Sequence, residues 1–421
     1  MTDNCYSNLS YKLTKLINKK EKQNNGIYFT PPNTIIKALN ILFNYNKTFN
    51  NILEPSCGSC EFIDKLLNFY PNATVSGVEY NKIIYDNIKN NYDNNSNIKI
   101  INDDFLKNNL NEKFDLIIGN PPYYVLKKAE VEKEYYNYFD GRPNIFLLFI
   151  IKSLSLLSEE GILCFILPKS FLNCLYYNKT RKYIYDNYSI LNIIECDDDY
   201  IETEQQTIIF IIKKGNDIGN SNLNDKYILK HLSDKYTIFA TCDVINRLNE
   251  LYISSTTLKA LNFKVIVGNI VWNENKSLLT HDPQKTRLIY STDIKYNTIS
   301  NKSYTNIAKK NYINKKGYKE PLLVINRGYG TGNYNFEYAL INCGHRDGLL
   351  NIGEYLIENH LICIKYEQEN AGEARDAYLI DKYIQIYKSF SDERTKEFIT
   401  LYFGNNAINT TELSNILPIY L

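Results

Sequence analysis

The chain lacks most of what would make it a polycation, a membrane protein or a disulfide-stapled one. Its 421 residues carry 48 Lys+Arg against 47 Asp+Glu, a formal net charge of +1. Any nucleic-acid surface must therefore be local, with acidic residues segregated elsewhere. No uninterrupted apolar run reaches the roughly 20 residues of a membrane span, and the run from Ile145 to Ile151 is far too short. The opening MTDNCYSNLSYKLTKLINKK has no apolar core flanked by a cleavage site, so it does not read as a secretory signal. The nine cysteines are odd in number and scattered, which fits reduced thiols in a cytoplasmic protein. Cys57 and Cys60 have CxxC spacing, but no second pair lies nearby, so a tight turn explains them better than a metal or redox site, and no metal is expected. One tryptophan stands against 37 tyrosines, a bias that A·T-rich codons produce and that says little about function. Hydrophobic residues at 44% suffice for a substantial core, and the length suggests two or three domains.

What is present is organised around Phe114-Asp115-Leu116-Ile117-Ile118-Gly119-Asn120-Pro121-Pro122-Tyr123. Apolar residues around Asp115 form a run short enough for a buried strand. The run stops at Gly119, and two prolines deny the ladder further donors. Open α/β sheets bind ligands at the carboxyl ends of their strands, so chemistry is expected here. The Asn120 side-chain oxygen and the Pro121 carbonyl are acceptors held nearly fixed, and Tyr123 offers a face for a planar group. Two acceptors and a stacking ring suit a planar molecule carrying an NH2 group. Such an amine is a poor nucleophile while its lone pair is delocalised. Two accepted N–H bonds would localise that pair for attack on an electrophilic methyl group, without a charged general base. The rival reading is a proline-stopped strand followed by an ordinary turn.

Upstream, three further strand ends carry acids. Asn51 to Glu54 reads as a strand running into a loop of small residues. Ser56 and Gly58 there permit close approach of a ligand to the backbone. The loop lacks the G-x-G-x-x-G fingerprint, and Glu54 would repel a phosphate but suit a ligand with positive charge. Thr74 to Val78 is a strand ending at Glu79, where an acid accepts two ribose hydroxyls. Ile98 to Ile101 ends in Asn102-Asp103-Asp104-Phe105, where Asp104 can receive an adenine amino group and Phe105 can pack on its ring. Before them, Gly26-Ile27-Tyr28-Phe29-Thr30-Pro31-Pro32 leads into an apolar-periodic helix. Thr30 is read either as a cofactor contact or simply as the helix N-cap. Four polar strand ends in register (Glu54, Glu79, Asp104, Asn120) argue for a nucleoside ligand with a cationic tail.

LEPSCGSCEF, GVEY, NDDF and GNPPYY resemble the S-adenosylmethionine and catalytic motifs of adenine-specific DNA methyltransferases. GIYFTPP resembles the extra N-terminal cofactor motif of the gamma arrangement, the type II restriction–modification group that includes the Taq methylase. The likeness covers residues 24 to 215 by motif. It implies a Rossmann-like class I S-adenosylmethionine-dependent methyltransferase domain, followed by a smaller mixed α/β DNA-recognition domain. It also implies that Thr30, Glu54, Ser56, Gly58, Glu79, Asp104, Phe105, Asn120 and Phe149 serve the cofactor. Asn120, Pro121, Pro122 and Tyr123 would hold a target adenine flipped out of double-stranded DNA. Tyr200 falls where the family places a second aromatic, usually phenylalanine, against the flipped base. Phe149 reads equally well as core packing.

The expected organisation is a lead-in at 1–24, a catalytic domain at 25–215, a linker at 216–225 and a target-recognition domain at 226–421. Residues 124 to 142 read as a mobile loop that orders over substrate. Past the linker, short β-like runs alternate with basic and aromatic loops. VGNIVWNENK, NRGYG and ENHLICI resemble target-recognition segments. Lys276, Lys309, Lys310, Lys315 and Lys316 form a candidate phosphate-contacting set, with a solvated loop as the rival reading. Arg327 is a candidate for a guanine edge. A separately encoded restriction endonuclease would be the natural partner. Two rival functions remain: a protein-glutamine or RNA methyltransferase using the same NPPY, and a silent nucleic-acid-binding subunit.

Overall fold

The computed structural model describes residues 5–215, 224–229, 236–327, 336–343, 351–367, 373–403 and 408–421, so most of the expected linker lies outside the described residues. The chain divides into two units, residues 1–246 and 247–421.

In the first unit the helices are α1 (Asn8–Leu16), α2 (Lys19–Asn25), α3 (Pro32–Asn44), α4 (Glu61–Phe69), α5 (Lys82–Ile88), α6 (Ile145–Leu156) and α7 (Asn178–Asn187). The strands are β1 (Asn51–Glu54), β2 (Thr74–Glu79), β3 (Ile98–Asn102), β4 (Phe114–Gly119), β5 (Leu157–Pro168), β6 (Tyr188–Cys196) and β7 (Thr207–Lys214). They form one sheet in the order β3-β2-β1-β4-β5-β7-β6. The pairs from β3 through β5 are parallel, and β7 runs antiparallel to both β5 and β6. Phe114, Leu116, Ile117 and Ile118 of β4 are all fully buried, as a central parallel strand covered on both faces requires. Chain progression reverses between β1 and β4. Ligands of open α/β sheets settle in the crevice at such a switch.

Three expectations are corrected here. The lead-in is not loose: Leu13 of α1 and Ile17 just after it are buried with Ile35 and Leu39 of α3 and Ile63 of α4. Ser7 caps α1 by accepting from the Ser10 amide. The Ser10 hydroxyl donates to Ser59 Oγ at 2.8 Å, which ties α1 to the loop after β1. Residues 124–142 are folded rather than free, because Val131, Tyr135 and Phe139 recur at four-residue spacing and join the core around α6. The first unit also extends past the expected boundary to Asn246. Tyr227, Ile228 and Phe239 belong to its core, with Phe239 stacked on Phe210 of β7 at 6.0 Å. Among the described residues no helix is long and apolar enough to cross a membrane.

The second unit is mixed α/β. Its strands are β8 (Phe263–Val267), β9 (Leu279–Thr280), β10 (Thr286–Ile289), β11 (Ile294–Lys295), β12 (Thr298–Ile299), β13 (Tyr312–Ile313), β14 (Leu322–Asn326), β15 (Tyr338–Ile341), β16 (Tyr355–Ile357) and β17 (Leu361–Tyr366). Two four-stranded sheets, β16-β10-β13-β9 and β15-β14-β17-β8, carry its core. Helix α8 (Cys242–Leu251) straddles the division, and α9 (Glu373–Ser391), α10 (Glu393–Tyr402) and α11 (Thr410–Asn415) follow the sheets. Arg287 and Asp293 form a buried ion pair at 2.9 Å. The Tyr290 amide and the Tyr304 hydroxyl also donate to Asp293, so the buried carboxylate is well satisfied.

Candidate active site

A cavity of about 320 Å³ opens at the carboxyl ends of β1 to β4. Its walls come from the loop after β1 (Pro55, Ser56, Gly58), the end of β2 (Glu79 to Asn81), the segment after β3 (Asp103 to Lys107) and Asn120 and Pro122 after β4. Cys57 donates its amide to Val78 O and Cys60 closes a turn on Cys57 O, so the two cysteines are buried turn residues.

Glu79 is 7% exposed. Its two oxygens accept from the amides of Gly58 (2.9 Å) and Asn81 (2.6 Å). Burial pushes its pKa up to about 7, although those two amides pull the other way. Glu54 is buried directly behind, with its Cγ against Gly119, and it does not line the cavity. Burial raises its carboxyl well above the usual range, with Cys60, Asp64 and Glu79 adding to the shift. Its Oε2 has no hydrogen-bond partner among the described residues. A buried acceptor left in that state calls for a donor or a cation. Asp104 accepts from the Leu106 amide at 3.0 Å and faces Lys107 Nζ at 3.3 Å. Phe105 and Phe149 stand 5.0 Å apart on the cavity wall, so Phe149 is both core and lining.

The NPPY segment is held from several sides. The Ser56 hydroxyl donates to the Asn120 carbonyl at 3.2 Å. Asn120 Nδ2 donates to Thr30 Oγ1 at 3.0 Å, and the Tyr28 carbonyl lies 3.5 Å away. The Tyr123 hydroxyl reaches Asn120 Oδ1 and, at 2.8 Å, the Ile166 carbonyl. The Tyr123 ring meets Phe146 edge-on at 5.9 Å, and burial raises its hydroxyl well above the usual pKa. Tyr200, 8% exposed, is the other ring here. Burial raises its pKa, and proximity to Thr207 and Asn120 opposes the shift. Its hydroxyl lacks a partner among the described residues.

Thr30 departs from its reading as the helix N-cap. The N-cap of α3 is Pro31, which makes no side-chain cap. Thr30, buried one residue earlier, spends its hydroxyl on Asn120 and does not line the cavity. Pro121, Tyr123 and Tyr200 likewise lie outside the lining. Sequence reasoning missed Tyr124, Leu126, Glu130 and Tyr135, which line the cavity from the folded segment after Tyr123. It also missed the part played by Gly26. This residue sits at φ +62°, and a Cβ there would stand 2.6 Å from the Tyr123 amide nitrogen. Only glycine lets the segment before α3 pack so closely on NPPY.

In the second unit the candidate lysines are not equivalent. Lys309 Nζ lies over Tyr290, Trp272 and Tyr304 at 4.8, 5.2 and 5.9 Å, so it is committed to an aromatic box. Lys310 Nζ is 2.7 Å from His281 Nε2. Lys276, over Trp272 at 5.6 Å, is exposed, as are Lys315 and Lys316. Arg327 is half-buried after β14, in the other sheet.

The sheet order, with a cavity at its switch point, is that of the Rossmann-like fold of class I S-adenosylmethionine-dependent methyltransferases. Residues 12–201 match the model of the Eco57I restriction-modification methylase family. The chain is 27% identical to the Type II methyltransferase M.CvrRI of Paramecium bursaria Chlorella virus XZ-6E, over 99% of each chain. It is also 27% identical to the Modification methylase CviBIII of Paramecium bursaria Chlorella virus NC1A, over 98% of each. A solved N-methyltransferase, NodS from Bradyrhizobium japonicum in complex with S-adenosyl-L-homocysteine, aligns with 50% of this chain and 100% of its own at 15% identity and a TM-score of 0.33. The chain is thus related to the type II methyltransferases of restriction–modification systems.

Proposed function

We propose that this protein is a site-specific DNA methyltransferase acting on the exocyclic 6-amino group of adenine in double-stranded DNA, with the base turned out of the helix. The observation that carries the reading is the Asn120 amide. It sits at the end of β4 on the cavity edge, its Nδ2 end tied to Thr30 and its Oδ1 end facing the Tyr123 hydroxyl. The restriction-modification family match and the names of the two full-length relatives support DNA as substrate. The exposed lysines of the second unit support it independently.

The cavity residues fit S-adenosylmethionine. Glu79 would hold the ribose hydroxyls, Asp104 the adenine amino group, and Phe105 with Phe149 the ring faces. Glu54, whose carboxyl burial keeps protonated on its own, would ionise against the cationic end and supply negative charge behind it. When bound, the cofactor supplies a sulfonium-activated methyl group. Asn120 Oδ1 and the Pro121 carbonyl would accept the two N–H bonds of the target amine and localise its lone pair. Tyr123 and Tyr200 would flank the base. The Pro121 carbonyl is held by proline geometry and the Asn120 amide by its bond to Thr30, so the one rearrangement required is withdrawal of the Tyr123 hydroxyl from Oδ1. The second unit would choose the sequence, and a separately encoded endonuclease would cut unmodified copies of it.

The test is incubation with S-adenosylmethionine and unmethylated genomic DNA, followed by nucleoside mass spectrometry and mapping of modified adenines. N6-methyladenine at one short motif is the expected product, and Asn120→Ala should lower turnover at least about a hundredfold. Methyl incorporation at another base, into RNA or into protein alone would overturn the reading.

A further inference from the structure

The Asn120 amide has two chemically opposite ends, and only one suits a target amine. Rotation of the amide by half a turn would present two N–H donors to an NH2 group, and no lone pair would be localised. What sets the orientation lies on the far side of the side chain. Nδ2 points to the Tyr28 carbonyl (3.5 Å) and to Thr30 Oγ1 (3.0 Å). A carbonyl only accepts, so this end must be the NH2 group, and Oδ1 faces the Tyr123 hydroxyl. Thr30 makes the shorter of the two bonds. It is 6% exposed and is followed by Pro31 and Pro32, which restrict the backbone that carries it.

We propose that Thr30 is a positioning residue, whose hydroxyl anchors the Asn120 amide in the orientation that the Tyr28 carbonyl selects, with its oxygen towards the target amine. This rests on Asn120 acting as the acceptor for that amine. It gives Thr30 a different task from contact with the cofactor, and the cavity lining, which omits Thr30, agrees. The partner lies 90 residues along the chain, so the segment before α3 serves the reaction through the NPPY loop as well as through the cavity wall.

Thr30→Val keeps the shape and removes the hydroxyl, which leaves Nδ2 only the longer contact to Tyr28. The expected result is a kcat at least about tenfold lower. The S-adenosylmethionine Kd by calorimetry and the KM for DNA should stay within about twofold of wild type. Thr30→Ser retains the hydroxyl and should recover kcat to within about threefold. A residue that merely fills space would respond to side-chain volume, so Ser would then be no better than Val. If Thr30→Val does not melt cooperatively, Thr30→Ala is compared with Thr30→Ser in the same way. An unchanged kcat in the hydroxyl-free variant overturns the proposal. So does a cofactor Kd weakened as much as the rate. The atom that wild type methylates is determined in the same experiment. A product other than N6-methyladenine defeats the adenine reading but leaves the Thr30 comparison intact, since any planar NH2 group needs the same acceptor.

Discussion

Replacing Tyr123 by phenylalanine separates two things the tyrosine does. Its hydroxyl has one proton and two acceptors, Asn120 Oδ1 and the Ile166 carbonyl at 2.8 Å. Removing it leaves the buried strand carbonyl of Ile166 unpaired there, which costs about 1–3 kcal/mol. The ring stays against Phe146, so no cavity opens. In a unit of this size each kcal/mol lowers the melting temperature by about 2–4 °C, so the fall should be about 2–12 °C. Activity should go the other way. The hydroxyl occupies the acceptor that a target amine needs, and phenylalanine frees it while keeping the face for stacking. Turnover of Tyr123→Phe should therefore lie within about threefold of wild type or above it. Tyr123→Ala loses the ring, with about 3–5 kcal/mol of stability and about 1–3 kcal/mol of stacking. Its turnover should fall at least about tenfold. The assay is initial-rate transfer of labelled methyl groups at saturating DNA, well below both melting points. A Phe variant that is folded yet as slow as Ala would mean that the hydroxyl takes part in the reaction, and the argument would fail.

Glu79 has a pKa raised to about 7, so below that pH it is protonated and a poorer acceptor for ribose hydroxyls. Cofactor binding must then release the proton, and affinity should fall by up to about tenfold per pH unit below 7 and level off above it. In Glu79→Gln that step should vanish from calorimetric titrations, and a variant that retains it would assign the titration to another group. Gly26→Ala forces a left-handed residue with a Cβ 2.6 Å from the Tyr123 nitrogen. Beyond about 1–2 kcal/mol of backbone strain, turnover should drop at least about tenfold through displacement of NPPY, and wild-type turnover in a folded variant would refute this. Charge reversal at Lys315 and Lys316 should reduce the log–log salt slope of DNA binding, by about 0.9 per lost phosphate contact. Lys309→Glu should chiefly lower the melting temperature, because Lys309 is held among three rings. Anisotropy titrations at several salt concentrations distinguish these, and an unchanged slope would put the DNA on another surface.

The catalytic sheet was legible because its central strands are buried on both faces. Ile52-Leu53 and Leu116-Ile117-Ile118 read as apolar runs that stop at once, at Glu54-Pro55 and at Gly119-Asn120-Pro121. Where a run ends, the next side chain must stand at a strand end, so Glu54, Glu79, Asp104 and Asn120 could be put in register from local pattern alone. Hydroxyl groups carried no such information. Thr30 reads as a cofactor contact or a cap next to two prolines, and only the fold brings it to an amide 90 residues away. The same holds for lysines: nothing near Lys309 in the sequence distinguishes it from Lys315, yet tertiary contacts enclose one in aromatic rings and leave the other exposed. Tyrosine blurred the rest. On α9 the sequence places Tyr378 and Tyr383 five residues apart, and the fold leaves Tyr378 57% exposed and Tyr383 1% exposed. A phenol is at home in either setting, with an apolar ring to bury and a hydroxyl to solvate, so its periodicity is silent. In a chain with 37 of them, only tertiary packing decided which rings became core, as where Tyr338 of β15 meets Tyr387 and Phe390 of α9.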